Sequence, residues 1–127
     1  MRRVVVDSAI VLEWFTDAAG PAHSIRREYE AGELTAVVPR SLTLDILEAV
    51  ARSSGWPADR LGRLAAELER LRFEVRDPTS TELTAWLARG LSGRDAGYAA
   101  LASGLGIPLV TTDAELLRNA ASVAQRP

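Results

Sequence analysis

The chain has 127 residues, 47% of them hydrophobic and 25% charged, the composition of one globular domain with room for a core. It has no cysteine and a single histidine, His23, which excludes disulfides and thiolate chemistry and makes a zinc site or a Ser-His-Asp arrangement hard to build. A net charge of −2 argues against a general basic nucleic-acid-binding domain but leaves a nuclease open, because bound cations would offset clustered carboxylates locally.

The sequence shows no internal repeat, no low-complexity tract and no apolar run of membrane-span length, and the N-terminus lacks the apolar core of a signal peptide. A cytoplasmic protein is expected. All fifteen basic residues are arginine, which codon usage in a GC-rich genome explains more simply than phosphate recognition.

Arg3 to Val6 is a short β-branched run ending at Asp7, after which Ala9, Ile10, Leu12, Trp14 and Phe15 predict a brief helix. Read alone, Asp7 is a helix N-cap. Gly20-Pro21 punctuates the chain before a polar amphipathic helix through Ile25 and Tyr29, whose charged side chains form a solvated face with His23 at the surface. Leu34 to Val38 reads as a second buried strand stopped by Pro39. Next, SLTLDILEAVARSSG predicts a helix with Ser41 as N-cap and Gly55 as its stop; Glu48 lies mid-helix, and read alone it is a surface partner for Arg52.

Trp56-Pro57 breaks the chain before a helix whose Leu61, Leu64, Ala65, Leu68 and Leu71 form a regular apolar stripe, suited to core packing or to a partner-binding surface. Phe73 to Arg76 predicts a third short strand, Asp77-Pro78 a turn, and Thr79 to Leu87 a helix with Leu83, Trp86 and Leu87 facing inwards.

The stretch Leu91 to Asp113 carries the strongest local signals. Ser92, three residues before Asp95, is a capping-box-like start, and Ala96, Ala99, Ala100, Leu101 and Leu105 form a helical stripe that Gly104 and Gly106 stop. Ile107, Leu109 and Val110 follow as a short strand opened by Pro108, with Asp113 just past its end. A last helix over Ala114 to Asn119 and an edge strand over Ser122 to Ala124 complete the pattern. Strands alternating with helices predict a parallel sheet covered on both faces, an α/β sandwich, and such sheets bind ligands outside the carboxyl ends of their strands.

Asp7, Asp95 and Asp113 all fall at element ends, and Glu48 sits among aliphatic residues. Carboxylates gathered in one crevice repel each other unless protonated or bridged by cations, and a hard divalent ion with oxygen ligands resolves that conflict. Such an ion can generate a hydroxide nucleophile and stabilise charge on a phosphodiester.

Over nearly its whole length the chain resembles a PIN-domain ribonuclease of the VapC toxin kind, from type II (VapBC) toxin–antitoxin pairs. The matching segments are VVVDSAIVLEWF, PRSLTLDILEAVAR and LSGRDAGYAALASGLGIPLVTTDAEL. The resemblance implies a single PIN domain over residues 1–127, folded as a three-layer α/β/α sandwich with a mostly parallel central sheet. It implies RNA endonuclease activity with Mg²⁺ or Mn²⁺, and it maps Asp7, Glu48, Asp95 and Asp113 onto the acidic cluster that binds metal and cleaves. Asp7 and Asp95 would be the principal ligands, Asp113 would complete the site, and Glu48 would bind metal or orient the attacking water. Thr111 or Thr112 would hold a water or a carboxylate behind them. The partners it implies are RNA, a VapB-like antitoxin seated in the active groove, and a second copy in a homodimer, with the Ala58 to Leu71 helix a candidate contact surface. Two other readings share the residues: a PIN nuclease of RNA processing, and a catalytically silent PIN-like binding module.

Overall fold

The computed structural model describes residues 1–16 and 20–127. Among them the elements run β1 (Arg2–Val6), α1 (Ser8–Thr16), α2 (Ala22–Glu30), β2 (Leu34–Val38), α3 (Leu42–Ser54) and α4 (Ala58–Arg70) in the first half. The second half contains β3 (Glu74–Val75), α5 (Ser80–Ala88), α6 (Gly93–Leu105), β4 (Leu109–Val110), α7 (Ala114–Asn119) and β5 (Ala124–Gln125).

The strands form one five-stranded sheet in the order β3-β2-β1-β4-β5, and every pairing is parallel. Val4, Val5 and Val6 of the central strand and Ala36, Val37 and Val38 of its neighbour are buried, as continuous apolar strands covered on both faces must be. The chain steps from β1 outward to β2 and β3, then crosses back over β1 to β4 and β5. With right-handed crossovers, that reversal puts α1 to α4 on one face and α5 to α7 on the other, giving three layers. It also makes the gap between the carboxyl ends of β1 and β4 the point where the chain leaves the sheet towards opposite faces, which opens a crevice there.

The α6 helix seats close to the sheet because Ala96, Ala99, Ala100 and Ala102 are fully buried and keep the helix surface low. Ser92 caps it, its hydroxyl accepting the Asp95 N–H at 3.2 Å. Gly106, at φ 67°, ends it in the left-handed conformation that glycine adopts without a Cβ penalty, while Gly104 lies within the helix.

Four local expectations differ. Ser41 does not cap α3 through its side chain; its hydroxyl donates to the Asp45 carboxylate instead. Leu87 is 42% exposed, because Trp86 takes the buried position and the next residue turns outwards by about 100°. The third strand keeps only Glu74–Val75, the two residues that register with Val37 and Val38. The edge strand is Ala124–Gln125 rather than Ser122 to Ala124, since the N–H groups of Val123 and Ala124 are spent on the Ala120 carbonyl in the turn after α7.

Candidate active site

The crevice at the β1/β4 divide has a volume of about 110 Å³ and receives side chains from both helical layers. Asp7, Ser8, Ala9 and Leu12 come from the β1–α1 junction, Ile46 and Ala49 from α3, Arg94, Asp95 and Tyr98 from α6, and Asp113 from the end of β4. Three of the four carboxylates expected from the sequence therefore line one crevice.

Asp7 is the deepest, at 4% exposure. Its Oδ1 accepts the Ile10 N–H at 3.0 Å, so it does cap α1, and its Oδ2 accepts the Thr111 hydroxyl at 2.5 Å. Neither partner is a cation. Burial pushes the Asp7 carboxyl up to about 6 against the pull of those two hydrogen bonds, and the charges of Asp113 and Asp95 add to the rise.

Thr111, itself fully buried, ties two of the acids together. Its Oγ1 accepts the Asp113 N–H at 3.0 Å while donating to Asp7. Asp113 in turn caps α7, its Oδ1 accepting the N–H groups of Glu115 at 2.9 Å and Leu116 at 3.4 Å, which leaves Oδ2 free of the cap. Thr112 instead donates to Glu13 at 3.1 Å, bracing the β4–α7 loop against α1. Asp95 stands in the first turn of α6 with its side chain 16% exposed, and its carboxyl is also raised, mainly by burial, with Arg94 pulling the other way and Asp113 and Glu115 adding to the rise.

Glu48 is not brought to this group. Its side chain is 56% exposed and pairs with Arg52 at 3.4 Å, one turn along the same helix. The reason is angular: Ile46 and Ala49 face the crevice, and at about 100° per residue Glu48 lies some 130° around α3 from the middle of that face, whereas Asp45 lies about 70° from it. Asp45 is the acid that α3 presents towards the site. Its Oδ2 accepts the hydroxyl of Tyr98 at 2.9 Å, and Tyr98 lines the crevice while only 1% exposed. Burial and the Asp45 charge drive the Tyr98 hydroxyl far above its ordinary range, so it stays a neutral donor. The signal for Asp45 was its place beside Ile46 and one turn before Ala49 on the apolar side of α3.

Among the described residues, no group of three or more histidine, aspartate or glutamate side chains lies close enough to hold one metal ion as it stands; the three aspartates face the crevice without closing on it. The donor set nevertheless fits a hard divalent cation. The lining ligands are carboxylate oxygens, neither imidazole nor thiolate is present, and Asp7 is buried with no basic partner to neutralise it.

A doubly wound parallel sheet with an acidic crevice at its switch point defines a class of α/β proteins that keep their ligand site at the carboxyl ends of the strands. The PIN domain model matches residues 4–122, and the chain belongs to the PIN domain family, whose members are nucleases. No match is found among curated proteins.

Solved structures agree on the fold. PAE2754 from Pyrobaculum aerophilum is 24% identical at a TM-score of 0.65, over 93% of this chain and 84% of that one. FitAcB from Neisseria gonorrhoeae is 13% identical at a TM-score of 0.71, over 98% and 97%. VapC20 from Mycobacterium tuberculosis, a sarcin-ricin loop cleaving toxin, is 19% identical at a TM-score of 0.68, over 98% and 99%.

Proposed function

We propose that this PIN domain is an Mg²⁺- or Mn²⁺-dependent RNA endonuclease acting as the toxin of a toxin–antitoxin pair. One observation carries the reading: Asp7, Asp95 and Asp113 line a single crevice at the switch point of the sheet, and the deepest of them is buried without a cationic partner. Likeness in fold to VapC20 and FitAcB supports the toxin role and a VapB-like antitoxin as partner; a homodimer and a cytoplasmic location complete the proposal.

Asp7, Asp95 and Asp113 would hold the metal, with Asp45 in the place that Glu48 was expected to take. The bound ion would supply a Lewis acid and a water of lowered pKa for attack on a phosphodiester. The chain supplies position. Asp7 keeps one lone pair on each oxygen after its bonds to Ile10 and Thr111, so it can bind without leaving its cap. Tyr98 donates to Asp45, and the cap on Oδ1 fixes Asp113 with its other oxygen available to complete the metal site. Hydrolysis adds that water oxygen to phosphorus and breaks one P–O ester bond, the leaving oxygen departing with a proton.

The test is cleavage of total RNA by purified protein and by Asp95→Ala, each in Mg²⁺, in Mn²⁺ and in EDTA. Discrete fragments are expected from wild type with either metal, none in EDTA, and none from the variant. Folded wild-type protein that cleaves under no condition would refute the nuclease reading. Expression without an antitoxin is expected to arrest growth, and unaffected growth at confirmed expression would refute the toxin role.

A further inference from the structure

The crevice poses an electrostatic problem: a phosphodiester chain is a polyanion, and the walls that must receive it are acidic. Among the lining residues one cation stands against this, Arg94, at the start of α6. We infer that Arg94 grips a non-bridging oxygen of the RNA phosphate seated over the crevice, an inference that rests on the nuclease reading above.

The arginine is placed and left available for such a contact. Eight other arginines meet carboxylates between 2.7 and 3.5 Å, among them Arg3 with Glu74 and Arg26 with Glu30, both at 2.7 Å. Arg94 makes the longest of these pairings, its Nε standing 3.7 Å from Asp95 Oδ1, beyond hydrogen-bond reach. Among the described residues its guanidinium donates no hydrogen bond within 3.5 Å, and its side chain is 48% exposed at the mouth. A guanidinium fork so placed matches two phosphate oxygens at once, which an ammonium cannot. The simpler role, counter-ion to Asp95, would favour a close ion pair, and the structure shows a loose one.

The experiment compares wild type with Arg94→Ala and Arg94→Lys in two assays. In steady-state cleavage of an RNA substrate with Mg²⁺, the alanine variant is expected to raise KM about 10- to 100-fold, as loss of one charge-assisted hydrogen-bonded contact does. The lysine variant should recover part of that loss. In the second assay, anisotropy of a fluorescent single-stranded RNA reports binding on an Asp113→Asn background. There, removing Arg94 should weaken binding and flatten the salt dependence of log K by about 0.7. An unchanged KM and salt slope, or a shift only in the Mg²⁺ needed for half-maximal rate, would overturn the inference and leave Arg94 a counter-ion. Wild-type protein that neither cleaves nor binds RNA would fell the nuclease reading and this inference together.

Discussion

At the scale of a single residue, Asp7 shows how one side chain serves two purposes that a sequence presents as alternatives. As the cap of α1 it is an ordinary helix start, and as a buried carboxylate without a cation it is a destabilising one. Its folded carboxyl, raised to about 6 from 3.8, binds a proton more tightly than the unfolded one. The ionised form therefore costs the folded state on the order of 3 kcal/mol above about pH 6, and that cost disappears as pH falls from about 6 to below 3.8. Asp7→Asn keeps the cap and removes the charge. In EDTA it is expected to gain about 1–3 kcal/mol in urea unfolding near pH 8, with the gain gone near pH 3. A gain independent of pH would show that charge is not its cause. The resemblance offered Thr111 or Thr112 to hold a carboxylate; that it is Thr111, and that it bridges Asp7 and Asp113, follows only from the pairing of β1 with β4, since nothing local ties residue 7 to residue 111.

At the scale of the element, α3 is where the expected site and the folded site part. The resemblance put Glu48 among the acids, and its local reading as a partner for Arg52 describes its place in the structure. The angular offset from Ile46 and Ala49 was available from the sequence, but which face of α3 meets the crevice depends on how α3 packs beside α1, and that is a tertiary fact. Asp45→Asn should lower kcat/KM at least about 10-fold, as the loss of a supporting carboxylate commonly does. Glu48→Gln should stay within about twofold, because it breaks only a surface pair. The reverse order in an RNA cleavage assay would return the role to Glu48. The α6 helix behaves differently: its cap at Ser92, its alanine face and its stop at Gly106 are all local, and all hold in the structure.

At the scale of the whole molecule, the site exists because the chain reverses direction across β1. Asp7 and Asp113 lie more than a hundred residues apart, and they meet because β1 and β4 pair in parallel, with Val6 opposite Val110. A crevice that gathers carboxylates from both layers should be destabilised when empty of cations and stabilised by them. At an Mn²⁺ concentration about 100 times its dissociation constant, the linkage is worth about 2.7 kcal/mol. The melting temperature of wild type should therefore rise by several degrees with Mn²⁺, and that of Asp7→Asn should rise much less. Equal shifts in the two proteins would place the bound metal elsewhere.

Periodicity, caps and breaks in the chain specified the α/β alternation, the buried parallel strands and the helix termini, because those are set by hydrogen bonds and burial within a few residues. Asp7, Asp95 and Asp113 could be singled out from their places at element ends. Strand order, the side of α3 that faces inwards, the exposure of Leu87 and the register of the last strand all belong to the folded molecule. Each depends on contacts between segments far apart in the chain, whose energies no local pattern encodes.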